Sequence, residues 1–151
     1  MTTAADLLTM SGLEAMQALI DGKFPPPTIS TTLGFYLSKV EHGYALFVGE
    51  PSDRILNPLG IVHGGFALTL IDSACGCAAH TTLGAGVGYA TLETKGNFVR
   101  AITSSTGSLF AEGRVVAEGR TVITAECKIS DAKGKLYGHG ASTLLVMRSE
   151  K

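Results

Sequence analysis

Between residues 55 and 92 the chain carries one formally charged side chain, Asp72, and everything else there is apolar, small or neutral. Within that stretch, residues 64–83 read GGFALTLIDSACGCAAHTTL and close on Gly84-Ala85-Gly86-Val87-Gly88. A run of this length, Ala-containing and ended by glycines, predicts a helix rather than a strand. A helix apolar on nearly all its faces has to be enclosed. The other residues of this 151-residue chain must therefore supply a wrapping, and a chain of that length makes one domain.

Residues 88–101, 107–118, 121–130 and 136–147 alternate or run β-branched, with turns at Glu118-Gly119 and Ala132-Lys133-Gly134, and they read as four consecutive antiparallel strands. Upstream, LGFYLSKVE and YALFVGEP flank His42-Gly43 and predict a hairpin. The expected architecture is α+β, a curved antiparallel sheet of about six strands wrapped around one long central helix. At the N-terminus, Leu7, Leu8, Met10, Leu13, Met16, Leu19 and Ile20 predict a short amphipathic helix over 6–21, and Pro25, Pro26 and Pro27 a stiff extended linker. Residues 1–30 are thus expected to form helix and linker, and 31–151 the main body.

Twelve Lys and Arg against thirteen Asp and Glu leave a net charge of -1, which provides no field for a phosphate backbone and argues against nucleic acid as a partner. An apolar content of 45% with a mean hydropathy of +0.27 excludes disorder and leaves apolar surface to bury between subunits. Cys75, Cys77 and Cys127 form no disulfide framework, and Cys75 and Cys77 are expected in the core. The first residues lack a basic leader pattern, and no apolar run approaches the roughly 18 residues of a membrane span, so a soluble cytoplasmic protein is expected. His42, His63, His80 and His139 have no paired ligand spacing, so no metal and no cofactor are expected. The chain has neither a Gly-x-Ser-x-Gly elbow nor a Gly-Lys-Ser/Thr phosphate loop, and Tyr89 stands where a dinucleotide fingerprint needs its third glycine.

Asn57-Pro58-Leu59-Gly60-Ile61-Val62-His63-Gly64-Gly65 runs directly into the apolar helix. The first N–H groups of that helix have no internal acceptor and suit an anion or a developing oxyanion. Gly64 and Gly65 lack Cβ, which admits a ligand carbonyl close to the backbone. Asp72, in the middle of the same helix, is costly unless it is hydrogen-bonded or at work. Gly64 and Asp72 are eight residues apart, about 12 Å along a helix, so one helix cannot bring both to one small carbonyl. Two antiparallel copies across a two-fold axis can, and a site shared between subunits is the expectation. His63, beside the helix start, is expected to orient the loop.

This order of motifs, followed by Thr91-Leu92-Glu93-Thr94-Lys95-Gly96-Asn97-Phe98-Val99-Arg100, resembles the hotdog-fold acyl-CoA thioesterases, and within them the phenylacetate-degradation (PaaI-like) branch. The likeness runs from about Leu33 to Val146. It implies a hotdog fold, a dimer joined sheet edge to sheet edge, two such dimers in a tetramer, and metal-free hydrolysis of a coenzyme A thioester, the coenzyme being part of the substrate. It implies further that the Gly64 N–H polarises the thioester carbonyl while Asp72 of the other subunit serves as nucleophile or as base on water. Asn57, His63 and Gly65 then line the site, Thr91 helps to position water, and Asn97 and Arg100 contact substrate, Arg100 through phosphate. A hotdog hydratase or dehydratase and a non-catalytic acyl-CoA-binding module are the alternatives.

Overall fold

A computed structural model describes residues 4–148. The elements run in the order α1 (Ala4–Leu7), α2 (Gly12–Ile20), α3 (Thr28–Leu33), β1 (Phe35–Glu41), β2 (Tyr44–Gly49), a 3-10 turn (Asp53–Ile55), α4 (Gly64–His80), β3 (Val87–Phe98), β4 (Leu109–Glu118), β5 (Val122–Asp131) and β6 (Leu136–Arg148). The six strands form one antiparallel sheet that wraps α4, the expected hotdog arrangement.

The enclosure of α4 has a local cause. Its inward residues Phe66, Ala67, Leu70, Ile71, Ala74, Cys75, Ala78 and Ala79 are buried, and the sheet meets them with Leu109, Ala111, Ile123, Ala125, Ile129 and Leu144. Burying a side chain such as Leu70 or Ile71 contributes about 1.5–3 kcal/mol each. Small residues on both sides bring helix and sheet unusually close: a Cβ at Gly113 of β4 would collide with the Ala74 carbonyl. The β1–β2 turn uses Gly43 at φ 73°, and the Thr81 hydroxyl at the end of α4 accepts its N–H at 2.8 Å, tying the hairpin to the helix.

Four details depart from the sequence reading. The sheet order is β1-β2-β4-β5-β6-β3, so β3 pairs with β6 rather than with β4, and the chain leaving α4 crosses to the far edge of the sheet. Alternation reports which face a residue occupies and carries no information about which strand lies beside it. The single helix expected over 6–21 is two, α1 and α2, and the second starts afresh at Gly12 because Ser11 and Glu14 form a capping box: the Glu14 N–H donates to Ser11 Oγ at 3.3 Å and the Ser11 N–H to Glu14 Oε2 at 2.8 Å. The proline run leads into the short helix α3, which spans residue 30. Helix α4 ends at His80, three residues early, where the Thr81 hydroxyl donates back to the Ala78 carbonyl at 2.6 Å.

Candidate functional site

The segment before α4 is shaped by its own side chains. Asn57 Oδ1 accepts the N–H groups of Leu59 at 2.9 Å and Ile61 at 3.2 Å, folding 57–61 into a closed turn, and the His63 N–H donates to the Ile55 carbonyl at 2.8 Å. His63 then caps the helix, its Nδ1 accepting the Gly65 N–H at 2.8 Å. That bond places the proton of a neutral His63 on Nε2. It also engages the Gly65 N–H, whereas the Gly64 N–H has no acceptor among the described residues. A Cβ at Gly64 would press on the Phe98 ring at 2.9 Å, so a larger residue there would have to displace that ring. Gly64, His63, Asn57 and Arg100 share the walls of a hollow of about 330 Å³, completed by Phe98 and Tyr137. The Arg100 guanidinium lies 5.9 Å from the Tyr137 ring centre at its mouth.

Asp72 lies half-buried on another face of α4. Its Oδ1 accepts two hydroxyls, Thr91 Oγ1 and Thr94 Oγ1, each at 2.9 Å, and Thr94 Oγ1 is 2.8 Å from the buried Ser142 Oγ. The desolvation that makes a mid-helix carboxylate costly is thus offset by two charge-assisted hydrogen bonds. Thr91 and Thr94 are three apart, an odd separation that in a regular strand puts side chains on opposite faces. The β3–β6 register slips between Thr91 and Glu93, and this bulge turns both hydroxyls toward Asp72. Gly65, Asp72 and Thr91 line one open groove of about 470 Å³ between α4 and the outer edge of β3.

The structure therefore gathers the predicted residues into two neighbouring places. Asn57, His63, Gly64 and Arg100 surround the hollow at the start of α4, and Gly65, Asp72 and Thr91 follow the groove beside it. Asn97 belongs to neither group. It pairs with His139 and faces, with Lys95, Glu112 and Lys128, a groove on the side of the sheet away from α4. Its neighbour Gly96 faces the helix, a Cβ there reaching Ile71 at 2.9 Å, so the pleat sends Asn97 outward.

Thr94 and Ser142 were not singled out in the sequence. A threonine three residues from Thr91 gives no signal unless the bulge is known. Of the cysteines, Cys75 and Cys127 are core residues, and Cys77 packs against the same core from its margin, where it lines a further cavity beside Asp72. Burial pushes the Cys75 thiol up to about 11 and the Cys77 thiol up to about 12, which keeps both protonated and inert. Among the described residues, no group of three or more His, Cys, Asp or Glu stands close enough to hold a metal ion, and no helix is long and apolar enough to cross a membrane.

Residues 59–137 match the family model of the thioesterase superfamily. A protein of Saccharolobus solfataricus named as an esterase is 33% identical over 91 residues, which make up 60% of this chain and 63% of that protein. The 1,4-dihydroxy-2-naphthoyl-CoA hydrolase of Listeria monocytogenes is 24% identical over 82% of this chain and 98% of its own length. Among solved structures, a phenylacetic acid degradation-related protein from Ralstonia eutropha superposes with a TM-score of 0.77 at 26% identity, covering 86% of this chain and 98% of that one.

Proposed function

Because the chain belongs to the thioesterase superfamily, we propose that it hydrolyses an acyl-CoA thioester at a site shared by two protomers, with Gly64 of one and Asp72 of the other facing the same carbonyl. The observation that carries this reading is the pairing of an unengaged helix N-terminal N–H at Gly64 with a carboxylate held in place by Thr91 and Thr94. The Gly64 N–H and the α4 dipole stabilise negative charge as it develops on the thioester oxygen. Asp72 either attacks the carbonyl carbon or takes the proton of an attacking water. Either route releases the coenzyme A thiol and a carboxylic acid.

Within one chain, eight residues of helix separate the two groups by about 12 Å, which is too far for one carbonyl. The geometry of β3 supports a second protomer as the source of the partner group. It pairs with β6 on one side only, and its outer edge presents Leu92, 59% exposed, with the open groove of Asp72 beside it. A long unpaired edge with apolar residues is a surface that pairs with another chain. A two-fold axis across β3 lays the two α4 helices antiparallel and covers each Asp72 groove with the other protomer. On this reading Arg100, at the mouth of the Gly64 hollow, meets a phosphate of the coenzyme, and Asn57 and His63 hold the loop that aims the Gly64 N–H.

Thiol release from a panel of aryl- and alkyl-CoA thioesters, compared between the wild type and Asp72→Asn, tests the reading. The near-isosteric change is expected to lower kcat by about two orders of magnitude or more while the fold and dimer persist. An unaltered rate in Asp72→Asn removes the carboxylate from the reaction.

A further inference from the structure

Ser142 is a hydroxyl in a row of β6 that otherwise carries hydrocarbon: Ser142, Leu144 and Val146 are its buried alternate positions, and only 2% of Ser142 meets solvent. Its cross-strand neighbours are Ala125 of β5 and Thr94 of β3. A hydroxyl taken out of water is costly without a partner, so alanine would serve packing alone as well or better. Ser142 lines neither the hollow of Gly64 nor the groove of Asp72. Its partner leads there all the same. Ser142 Oγ is 2.8 Å from Thr94 Oγ1, which is 2.9 Å from Asp72 Oδ1.

The order of the protons along this chain follows from counting them. A carboxylate that attacks a carbonyl or takes up a proton is ionised and can only accept. Thr94 has one hydroxyl proton, and Asp72 Oδ1 takes it. The Thr94 oxygen then accepts from Ser142, whose single proton points toward Thr94. Beyond Ser142 stands the Cys75 thiol, which burial keeps protonated, so the chain ends in a neutral group. The two hydroxyl dipoles point the same way, and each bond strengthens the next. Thr91 donates to the same Oδ1 from the exposed side, where water competes. Oδ1 thus holds two donors, while Oδ2 accepts no hydrogen bond among the described residues.

We propose that Ser142 is a positioning residue that acts through Thr94 to fix Asp72 with Oδ1 bound and Oδ2 as the oxygen that reacts. The proposal rests on the thioesterase reading for its chemistry and adds to it a residue that touches no substrate. Without Ser142 the Thr94 oxygen loses one of its two hydrogen bonds, and both the Thr94 rotamer and the carboxylate it holds are less narrowly set.

The test measures thiol release from the aryl- and alkyl-CoA thioesters for Ser142→Ala, Thr94→Val and the double variant, with urea unfolding of each. Ser142→Ala is expected to lower kcat about three- to fivefold at an unchanged KM, since one neutral hydrogen bond is at stake and substrate does not meet it. Its unfolding midpoint is expected to stay or rise, the reverse of a residue kept for packing. Thr94→Val leaves the Ser142 hydroxyl buried against a methyl group, so adding Ser142→Ala is expected to raise stability and to leave kcat where Thr94→Val put it. An unaltered kcat in Ser142→Ala overturns the proposal. So does a midpoint that falls together with kcat, and so does a further fall of kcat in the double variant, which assigns Ser142 a route other than Thr94. Should no thioester be hydrolysed, the thioesterase reading fails by itself, and NMR decides the positioning role separately. Three-bond couplings of the Thr94 methyl carbon report its χ1: one rotamer in the wild type and averaging between rotamers in Ser142→Ala sustain the role, and identical couplings in the two proteins overturn it.

Discussion

At the scale of single residues, the site depends on who hydrogen-bonds to Asp72. Thr94→Val keeps shape and removes a donor whose bond to a charged group is worth about 1.5 kcal/mol or more. The expected result is a fall of about tenfold in kcat/KM in a thiol-release assay, with a melting temperature changed by only a few degrees. Thr91→Val removes the other donor, at the exposed edge of β3, and is expected to cost less because water replaces it. The sequence already exposed Gly64, His63 and Asp72, since a lone charge in an apolar helix and a paired glycine at its start are visible without any fold. Thr94 went unmarked and Asn97 was grouped with the site residues for one physical reason. Side-chain direction in β3 depends on where the bulge falls, and a bulge leaves no mark on the alternation pattern until the partner strand is known. The engagement of the Gly65 N–H by His63 was equally invisible, and it singles out Gly64 as the available donor.

Among the elements, α4 was legible because length, alanine content and bounding glycines agree on it, whereas the position of β3 was not, because pairing across the sheet is decided by packing at long range. Helix and sheet meet through Gly113, and Gly113→Ala is expected to push α4 outward and cost about 1–3 kcal/mol in urea unfolding. At the other end of the chain, the Ser11–Glu14 capping box starts α2, which walls the cavity beside Asp72. Ser11→Ala is expected to lower stability in urea unfolding. The Ser11 N–H and hydroxyl hold the Glu14 carboxyl below its ordinary range, so this contribution is full above the unfolded carboxylate pKa and is lost as pH falls through the lowered folded value. Thermal unfolding followed by circular dichroism across the acid range checks it, and Ser11→Ala is expected to show the weaker acid dependence.

For the whole molecule, a shared site makes activity a property of pairs. Light scattering behind size exclusion is expected to show a dimer or a multiple of it, and Leu92→Asp, which charges the open edge of β3, is expected to weaken association and lower activity together. Two inactive variants give a sharper check. Co-expressed Gly64→Val and Asp72→Asn chains form mixed dimers in which one site keeps both groups, so about a quarter of wild-type activity is expected to return. No recovery would place both groups in one subunit. The bulge between Thr91 and Glu93 bears on how such a molecule can vary over time. Deleting Leu92 would straighten the ladder with β6 and leave Thr91 and Thr94 two apart, on one face as in a regular strand, so both hydroxyls would still meet the carboxylate. What the carboxylate requires of β3 is thus a parity rather than a length: the two threonines stand three apart with the bulge or two apart without it, and losing the bulge at unchanged length would turn one hydroxyl away.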